Sequence, residues 1–128
     1  MKKFLIGVLI LNAVFEFGTG AALLFFTDSI VPADQVEGTS WAIAYGFGAF
    51  AIASTVFWVW KQLDEFKTMG SVLGIMAVFH TGLTTATATA FAPQTGIPAA
   101  ITHGFLALSF WFLLLNRQRW CVVTTTPQ

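Results

Sequence analysis

Three ionisable side chains lie at similar depths inside long apolar segments of this sequence. Glu16 lies in the stretch from Phe4 to Phe26, and His80 and His103 lie in two later stretches of the same kind. Counted from the segment ends that carry basic residues, they lie about 18, 15 and 18 Å deep along a helix. A lone charge at that depth in a membrane costs about 2.5–3.5 kcal/mol, so we predict that the three side chains converge inside the protein.

The residue types in this group define the chemistry that it could perform. Two histidines and a carboxylate are the ligand set of non-haem iron and catalytic zinc sites, so Glu16, His80 and His103 are metal candidates. The same groups could instead relay protons or bind the polar part of an apolar ligand. Asn12 shares a helix face with Glu16, and Thr84 shares one with His80, so both are predicted to support the site. No local motif identifies a cofactor.

A structural role is the alternative for each of these residues. Glu16 could be a neutral, hydrogen-bonded acid, and His80 could bond only to a threonine or a backbone carbonyl. His103 could line water near the outer surface, and Asn12 could join two helices. The threonines of the third segment are expected to bond to carbonyls of their own helix: Thr81, Thr84, Thr85, Thr87 and Thr89.

Composition and segment length place the chain in the membrane class. It is 56% hydrophobic and 9% charged, and its mean hydropathy is +0.76. Four apolar segments, at about residues 4–26, 41–60, 70–91 and 98–115, are each long enough for a hydrocarbon core of about 30 Å. We therefore predict an all-α integral membrane protein, a single domain over residues 1–128 that forms an antiparallel four-helix bundle. Nucleotide-binding glycine loops and a basic nucleic-acid patch are absent, and the single cysteine excludes an internal disulfide.

The distribution of charge predicts the topology. All the charged residues in the connection between the first two segments are acidic. The six basic residues lie next to the other segment ends: Lys2, Lys3, Lys61, Lys67, Arg117 and Arg119. By the positive-inside rule, both termini and the middle loop face the cytoplasm. Because Asn12 and Glu16 interrupt the first apolar run, we expect a membrane span there and not a cleaved signal peptide.

Small residues and prolines predict how the helices pack and where they end. Small side chains share a face of the second segment (Ala42, Gly46, Ala49 and Ala53) and of the third (Gly70, Gly74, Ala77, Thr81 and Ala88). Such faces let helices approach closely, either within the bundle or against a partner subunit. We expect Pro93, Gly96 and Pro98 to close the third helix and open the fourth, with Pro98 in its first turn.

Two short stretches resemble a known family. The run from Gly20 to Phe26, which leads into Pro32, is similar to the end of the first helix in DoxX-like small bacterial membrane proteins. The stretch from Tyr45 to Ala49 resembles their glycine-bearing second helix. The resemblance implies a four-helix inner-membrane protein, and some members of that family are linked to quinone-dependent redox or sulfur metabolism.

These observations lead to one main hypothesis and two alternatives. The main hypothesis is a small, non-catalytic, multi-pass protein of the bacterial cytoplasmic membrane that binds a quinone or lipid, or serves as accessory subunit of a larger complex. The first alternative is a metal-dependent or proton-shuttling redox enzyme acting on a quinone-like substrate. The second is a small proton-coupled transporter, which would need to form a homo-oligomer because four spans enclose little space.

Overall fold

The computed structural model describes residues 1–31, 36–90 and 93–122. Its four long helices are α1 (Lys2–Phe25), α3 (Val36–Val59), α4 (Phe66–Ala90) and α5 (Pro93–Leu115). The one-turn helix α2 (Thr27–Ile30) follows α1, and 3-10 turns at Trp60–Gln62 and Arg117–Arg119 follow α3 and α5. Within the described residues the only extended pairing is a single bridge between Glu65 and Val122. The all-α prediction is confirmed.

The helix ends differ from the predicted boundaries mainly at the starts of α3 and α5. Helix α3 begins at Val36, ahead of the expected start at residue 41, and α5 begins at Pro93, so Pro98 lies inside the helix. A proline fits best in the first turn, and Pro93 holds the first position instead of Pro98. Pro32, which is part of the stretch that resembles the DoxX-like proteins, lies outside the described residues.

Four helices are long and apolar enough to cross a membrane: Lys2–Phe25, Glu37–Gln62, Phe66–Thr89 and Gly96–Leu115. Many of their large apolar side chains face outward, with Phe25, Trp58 and Leu108 each more than 70% exposed. Contiguous apolar surface of this extent is unfavourable in water and favourable in lipid. These are the features of a multi-pass membrane protein.

The chain divides into two compact units, which we describe separately. Met1–Val8 with Val59–Gln128 forms the first, called the histidine unit because it holds both histidines. Leu9–Trp58 forms the second, called the glutamate unit because it holds Glu16.

The core of the histidine unit is the helical hairpin of α4 and α5. A short connection joins the two helices, and their facing side chains are almost completely buried: Met69, Leu73, Met76, Leu106, Phe110 and Leu113. The Trp111 indole N–H donates to the Thr81 hydroxyl at 3.2 Å and links α5 to α4. The hairpin therefore holds α4 and α5 in a defined register, which positions one histidine opposite the other.

Three chain segments meet at one end of the histidine unit. The Lys2 ammonium contacts the Asp64 carboxylate at 2.6 Å, and the Val122 N–H donates to the Asp64 carbonyl at 2.7 Å. The Arg117 guanidinium lies 4.5 Å from the centre of the Phe66 ring. The exposed ion pair contributes little stability. These contacts place the N-terminal turn, the loop before α4 and the C-terminal segment at the same end. The three segments carry five of the six basic residues, and the sixth, Lys67, lies in the first turn of α4.

In the glutamate unit, α1 and α3 approach closely at two glycines. A Cβ atom on Gly20 would lie 3.0 Å from the Gly46 carbonyl oxygen, and one on Gly46 would lie 2.8 Å from Leu24 Cγ. Next to this contact the Phe17 and Phe50 rings meet edge to face with centres 5.4 Å apart. The prediction that the Gly46 face mediates close helix packing is therefore confirmed inside the chain.

Candidate functional site

The two histidines of the chain form a buried pair in the α4–α5 hairpin. His80 on α4 is fully buried, and His103 on α5 is 3% exposed. Their Nδ1 atoms lie 3.0 Å apart, the ring centres are 5.2 Å apart, and the ring planes are inclined by 30°. This Nδ1–Nδ1 distance is that of an N–H···N hydrogen bond.

The ring spacing shows that the two imidazoles face each other nearly end to end. In a five-membered ring with bonds of about 1.33 Å, each atom lies about 1.1 Å from the centre. Two rings joined end to end through Nδ1 atoms 3.0 Å apart would have centres about 5.3 Å apart. The observed separation is 5.2 Å. The Nδ1 lone pair of one ring is therefore directed at the Nδ1 atom of the other, as a hydrogen bond requires.

This hydrogen bond assigns opposite roles to the two outer ring nitrogens. A neutral imidazole carries one N–H donor and one acceptor nitrogen. If one ring donates through Nδ1–H, its Nε2 is an acceptor. The ring that accepts at Nδ1 must carry its proton on Nε2, which is then a donor. The neutral pair thus presents one acceptor nitrogen and one donor N–H, whichever histidine is the internal donor.

Aromatic rings surround His80 and fix its orientation. Phe110 of α5 stacks on the imidazole with centres 5.6 Å apart and planes inclined by 16°. Phe79 meets the same ring edge-on, with centres 5.1 Å apart and planes inclined by 82°. These apolar walls lower the local dielectric, which strengthens the hydrogen bond between the imidazoles.

The threonines of α4 bond to their own helix, as predicted. The Thr84 hydroxyl donates to the His80 carbonyl at 2.7 Å, and the Thr81 hydroxyl donates to the Ala77 carbonyl at 2.7 Å. The same type of bond is made by the remaining members of the series: Thr85, Thr87 and Thr89. The hydroxyl proton of Thr84 is therefore engaged with the backbone, and its oxygen retains acceptor capacity.

In the glutamate unit, Asn12 and Glu16 are both buried. The Tyr45 hydroxyl on α3 lies close to the Glu16 carboxyl on α1. We did not select Tyr45 as a site residue from the sequence. The sequence held only a weak signal: counted from the basic end of the second apolar segment, Tyr45 lies about 23 Å deep, against about 18 Å for Glu16 in the first.

Of the predicted site residues, the histidine unit brings together His80, Thr84 and His103, and the glutamate unit contains Asn12 and Glu16. Convergence of Glu16 with the two histidines stays a prediction from the sequence. No family model, curated protein or solved structure matches this chain. The resemblance to DoxX-like proteins therefore also stays a prediction.

Proposed function

We propose that this chain is inserted in the bacterial cytoplasmic membrane with both termini in the cytoplasm. The spacing of exposed tryptophans on α3 supports the insertion. Trp41 is 76% exposed and Trp58 is 77% exposed, and the helix between them is about 26 Å long. Tryptophan is favoured at both borders of the hydrocarbon region, whose thickness is about 30 Å. The meeting of three basic segments at one end of the histidine unit supports the common cytoplasmic position of both termini and the middle loop.

Within that membrane, we propose that the protein binds an apolar ligand with a polar head group, and that the ligand is a quinone or quinol. The observation that carries this proposal is the buried His80–His103 pair, which places two hydrogen-bonding imidazoles among the apolar rings of Phe79 and Phe110. A quinone carbonyl accepts from a donor N–H, and a quinol hydroxyl donates to an acceptor nitrogen. A lipid head group with hydroxyl or ester groups is the competing ligand of the same chemistry. Direct binding, and not catalysis, is the proposed activity.

The ligand proposal predicts that His80→Phe weakens quinone binding. Loss of one hydrogen bond of about 1–1.5 kcal/mol corresponds to about a tenfold increase in Kd. Titration of the purified protein in detergent with decylubiquinone, followed by tryptophan fluorescence, measures the affinity. Trp41→Phe, on an exposed position of the glutamate unit, is the control and should leave Kd unchanged.

Two outcomes would contradict the ligand proposal. One is equal binding of decylubiquinone to the wild type and to His80→Phe. The other is an organic-solvent extract of the purified protein that contains neither quinone nor a stoichiometric lipid, together with no measurable binding of added decylubiquinone.

A metal-dependent redox enzyme is the second candidate, and the ring spacing of the histidine pair supports it. Two imidazoles on one tetrahedral zinc, with Zn–N distances of about 2.05 Å, have nitrogens about 3.3 Å apart and ring centres about 5.2 Å apart. The ring centres of His80 and His103 are 5.2 Å apart. With the ring centres in place, each ring would need to turn by about 35° for both Nδ1 atoms to face one tetrahedral ion. Elemental analysis of the purified protein for zinc, iron and copper tests this candidate, and less than a tenth of an equivalent of each would exclude it.

The proposed topology predicts which positions an impermeant maleimide reaches in intact cells. Burial raises the pKa of the Cys121 thiol, and the negative charge of Asp64 raises it further. The positive charge of Arg117 lowers it, but by less. Cys121 therefore holds little thiolate and is a poor probe. In a Cys121→Ser background, Gln35→Cys should be labelled from outside. Gln118→Cys, whose parent residue is exposed, should be labelled only after permeabilisation. Labelling of Gln35→Cys only from the cytoplasmic side would contradict the topology.

A further inference from the structure

The end of the histidine unit where three chain segments meet, called the basic end, has a surplus of positive charge. The histidine unit contains six basic and two acidic residues, so six minus two leaves four positive charges. Both acidic side chains already have partners. The Asp64 carboxylate contacts the Lys2 ammonium at 2.6 Å, and the Glu65 carboxylate accepts from the Thr68 hydroxyl at 2.7 Å. Within the described residues, the other five cations therefore have no carboxylate as counter-ion.

Arg117 is the cation of the basic end that packing holds in place. Its guanidinium carbon lies 4.5 Å from the centre of the Phe66 ring, and its Nη1 atom donates to the Leu114 carbonyl at 3.0 Å. A Cβ atom on Gly70 would lie 3.4 Å from Arg117 Nε, so the side chain lies along the first turn of α4. These contacts use the face of the guanidinium and one of its terminal nitrogens.

The remaining edge of the Arg117 guanidinium has no acceptor in the part of the chain that the structure describes. Nε is buried without a partner, and Nη2 on the same edge has no partner either but is not buried. A guanidinium edge with two N–H donors matches two oxygens of a phosphate or carboxylate. Because Nη2 is not buried, an anion can approach this edge from the surface.

A second donor without an acceptor lies in the turn that follows α5. The Trp120 indole nitrogen is buried and has no hydrogen-bond partner among the described residues. Its backbone N–H donates to the Arg117 carbonyl at 3.2 Å, and side chains three residues apart in a 3-10 turn lie on the same side. Both side chains are donors only, so the group that completes their hydrogen bonding must be an acceptor. The surplus of positive charge favours an anion over water in that role.

Lys67 and an apolar surface adjoin these donors. Lys67 is exposed and precedes Gly70 by three residues on α4, a spacing that brings Cβ positions within about 5–6 Å of each other. Its ammonium group can therefore reach an anion bound at Arg117. On α5, Phe112 is 49% exposed and Leu115 is 75% exposed, and both lie within two turns of Arg117. Free phosphate would leave this apolar surface uncovered, whereas an acyl chain would cover it.

We propose that the basic end binds one anionic phospholipid through its phosphate group. Arg117 and Lys67 hold the phosphodiester oxygens, the Trp120 indole donates to another oxygen of the head group, and an acyl chain lies along Phe112 and Leu115. A zwitterionic lipid carries its own ammonium group, which the surplus positive charge repels. The site therefore prefers a head group with a net negative charge, as basic pockets at the cytoplasmic side of membrane proteins do. It does not involve the histidine pair.

Lipid binding can be counted on the full chain by native mass spectrometry from detergent micelles. We expect one molecule of phosphatidylglycerol per chain, with a Kd at least about tenfold below that of phosphatidylcholine with the same acyl chains. Equal affinity for the two lipids would overturn the proposal. Inorganic phosphate is the third probe. If it displaced phosphatidylglycerol as readily as unlabelled phosphatidylglycerol does, the site would be one for a free anion, and the lipid would be rejected.

A matched pair of arginine variants separates a defined site from general attraction between charges. Arg117→Gln should raise the Kd for phosphatidylglycerol about tenfold, because a charge-assisted hydrogen bond is lost. Arg119→Gln removes the same charge from an exposed position of the same turn and should change Kd by less than about threefold. Equal effects of the two variants would mean diffuse attraction and would overturn the site.

Two further variants keep the test decisive if Arg117→Gln does not fold. Arg117→Lys retains the charge and the aliphatic stem but not the two-donor edge, so it should still bind phosphatidylglycerol several times more weakly than the wild type. Lys67→Gln changes an exposed side chain and should also weaken binding severalfold. Wild-type affinity in both variants would overturn the proposal.

The variant His80→Phe distinguishes this lipid site from the ligand site proposed at the histidine pair. It should lose affinity for decylubiquinone and bind phosphatidylglycerol as the wild type does. Loss of phosphatidylglycerol binding in a folded His80→Phe protein would place the lipid at the histidine pair and overturn this inference. Absence of quinone binding in the wild type would remove the proposed function and leave the lipid site in place.

Discussion

Replacing His103 by phenylalanine should lower the free energy of unfolding by about 1–3 kcal/mol, the cost of removing one partner from a buried hydrogen bond. The imidazole of His80 would keep its place between Phe79 and Phe110 but lose the nitrogen 3.0 Å away. Unfolding in mixed micelles by increasing the fraction of SDS, followed by circular dichroism, gives the free energy. Leu108→Phe, at a 73% exposed position of the same helix, is the control and should change it by less than about 0.5 kcal/mol.

The double variant His80→Phe/His103→Phe makes this prediction specific. Replacing both partners of a hydrogen bond by apolar groups of similar shape is often nearly neutral. The double variant should therefore be less destabilised than the two single variants added together, with a coupling energy of about 0.5–3 kcal/mol. Additive effects would mean that the histidines do not form an energetically coupled pair, and the proposed ligand site would lose its basis.

Replacing Gly20 by alanine should also destabilise the protein by about 1–3 kcal/mol, because the added methyl group overpacks the contact between α1 and α3. The new Cβ would lie 3.0 Å from the Gly46 carbonyl oxygen, and a backbone atom in a helix cannot turn aside. Gly18→Ala is the matched control. It lies on the same helix, and its Cβ would have no neighbour within 4 Å. It should be neutral or slightly stabilising, since alanine favours helix over glycine by about 1 kcal/mol.

A second pair of variants tests whether the glycine contact, and not helix propensity, decides the result. Gly46→Ala places a Cβ 2.8 Å from Leu24 Cγ, so it should be destabilising alone. In combination with Leu24→Ala, which removes the opposing atoms, part of that loss should be recovered. Equal stability of Gly20→Ala and Gly18→Ala would show that α1 and α3 do not depend on this close approach.

The fold class followed from the sequence because membrane insertion imposes simple rules. A span needs about 20 apolar residues, and only helices satisfy their own backbone groups in lipid without closing a barrel. Those rules predicted four helices at nearly the observed positions. The start of α5 was predicted at Pro98, whereas the helix begins at Pro93. Both prolines suit the first turn of a helix, and the local sequence does not show which of them occupies it.

The sequence predicted which residues form the candidate site, but it predicted only their depth along the helices and not the contacts between their side chains. The cost of burying polar groups in an apolar segment drew attention to His80 and His103, and helix length gave both a similar depth. The bonding of the α4 threonines to backbone carbonyls was also predicted, since a threonine hydroxyl in a helix has a carbonyl one turn away. Tyr45 was missed because a tyrosine in an apolar segment has an apolar body and does not interrupt the pattern.

The sequence by itself determined the class of protein, the number of long apolar helices and the short list of buried polar residues, because these depend on composition, segment length and helical rise. Only the tertiary structure decided that the histidines meet through Nδ1 at 3.0 Å, that Phe110 stacks on His80 and that Tyr45 lies close to Glu16. These contacts depend on the rotation of each helix about its axis and on side-chain rotamers. Packing between helices sets both, and residue spacing along one helix contains no information about the rotation of its neighbour.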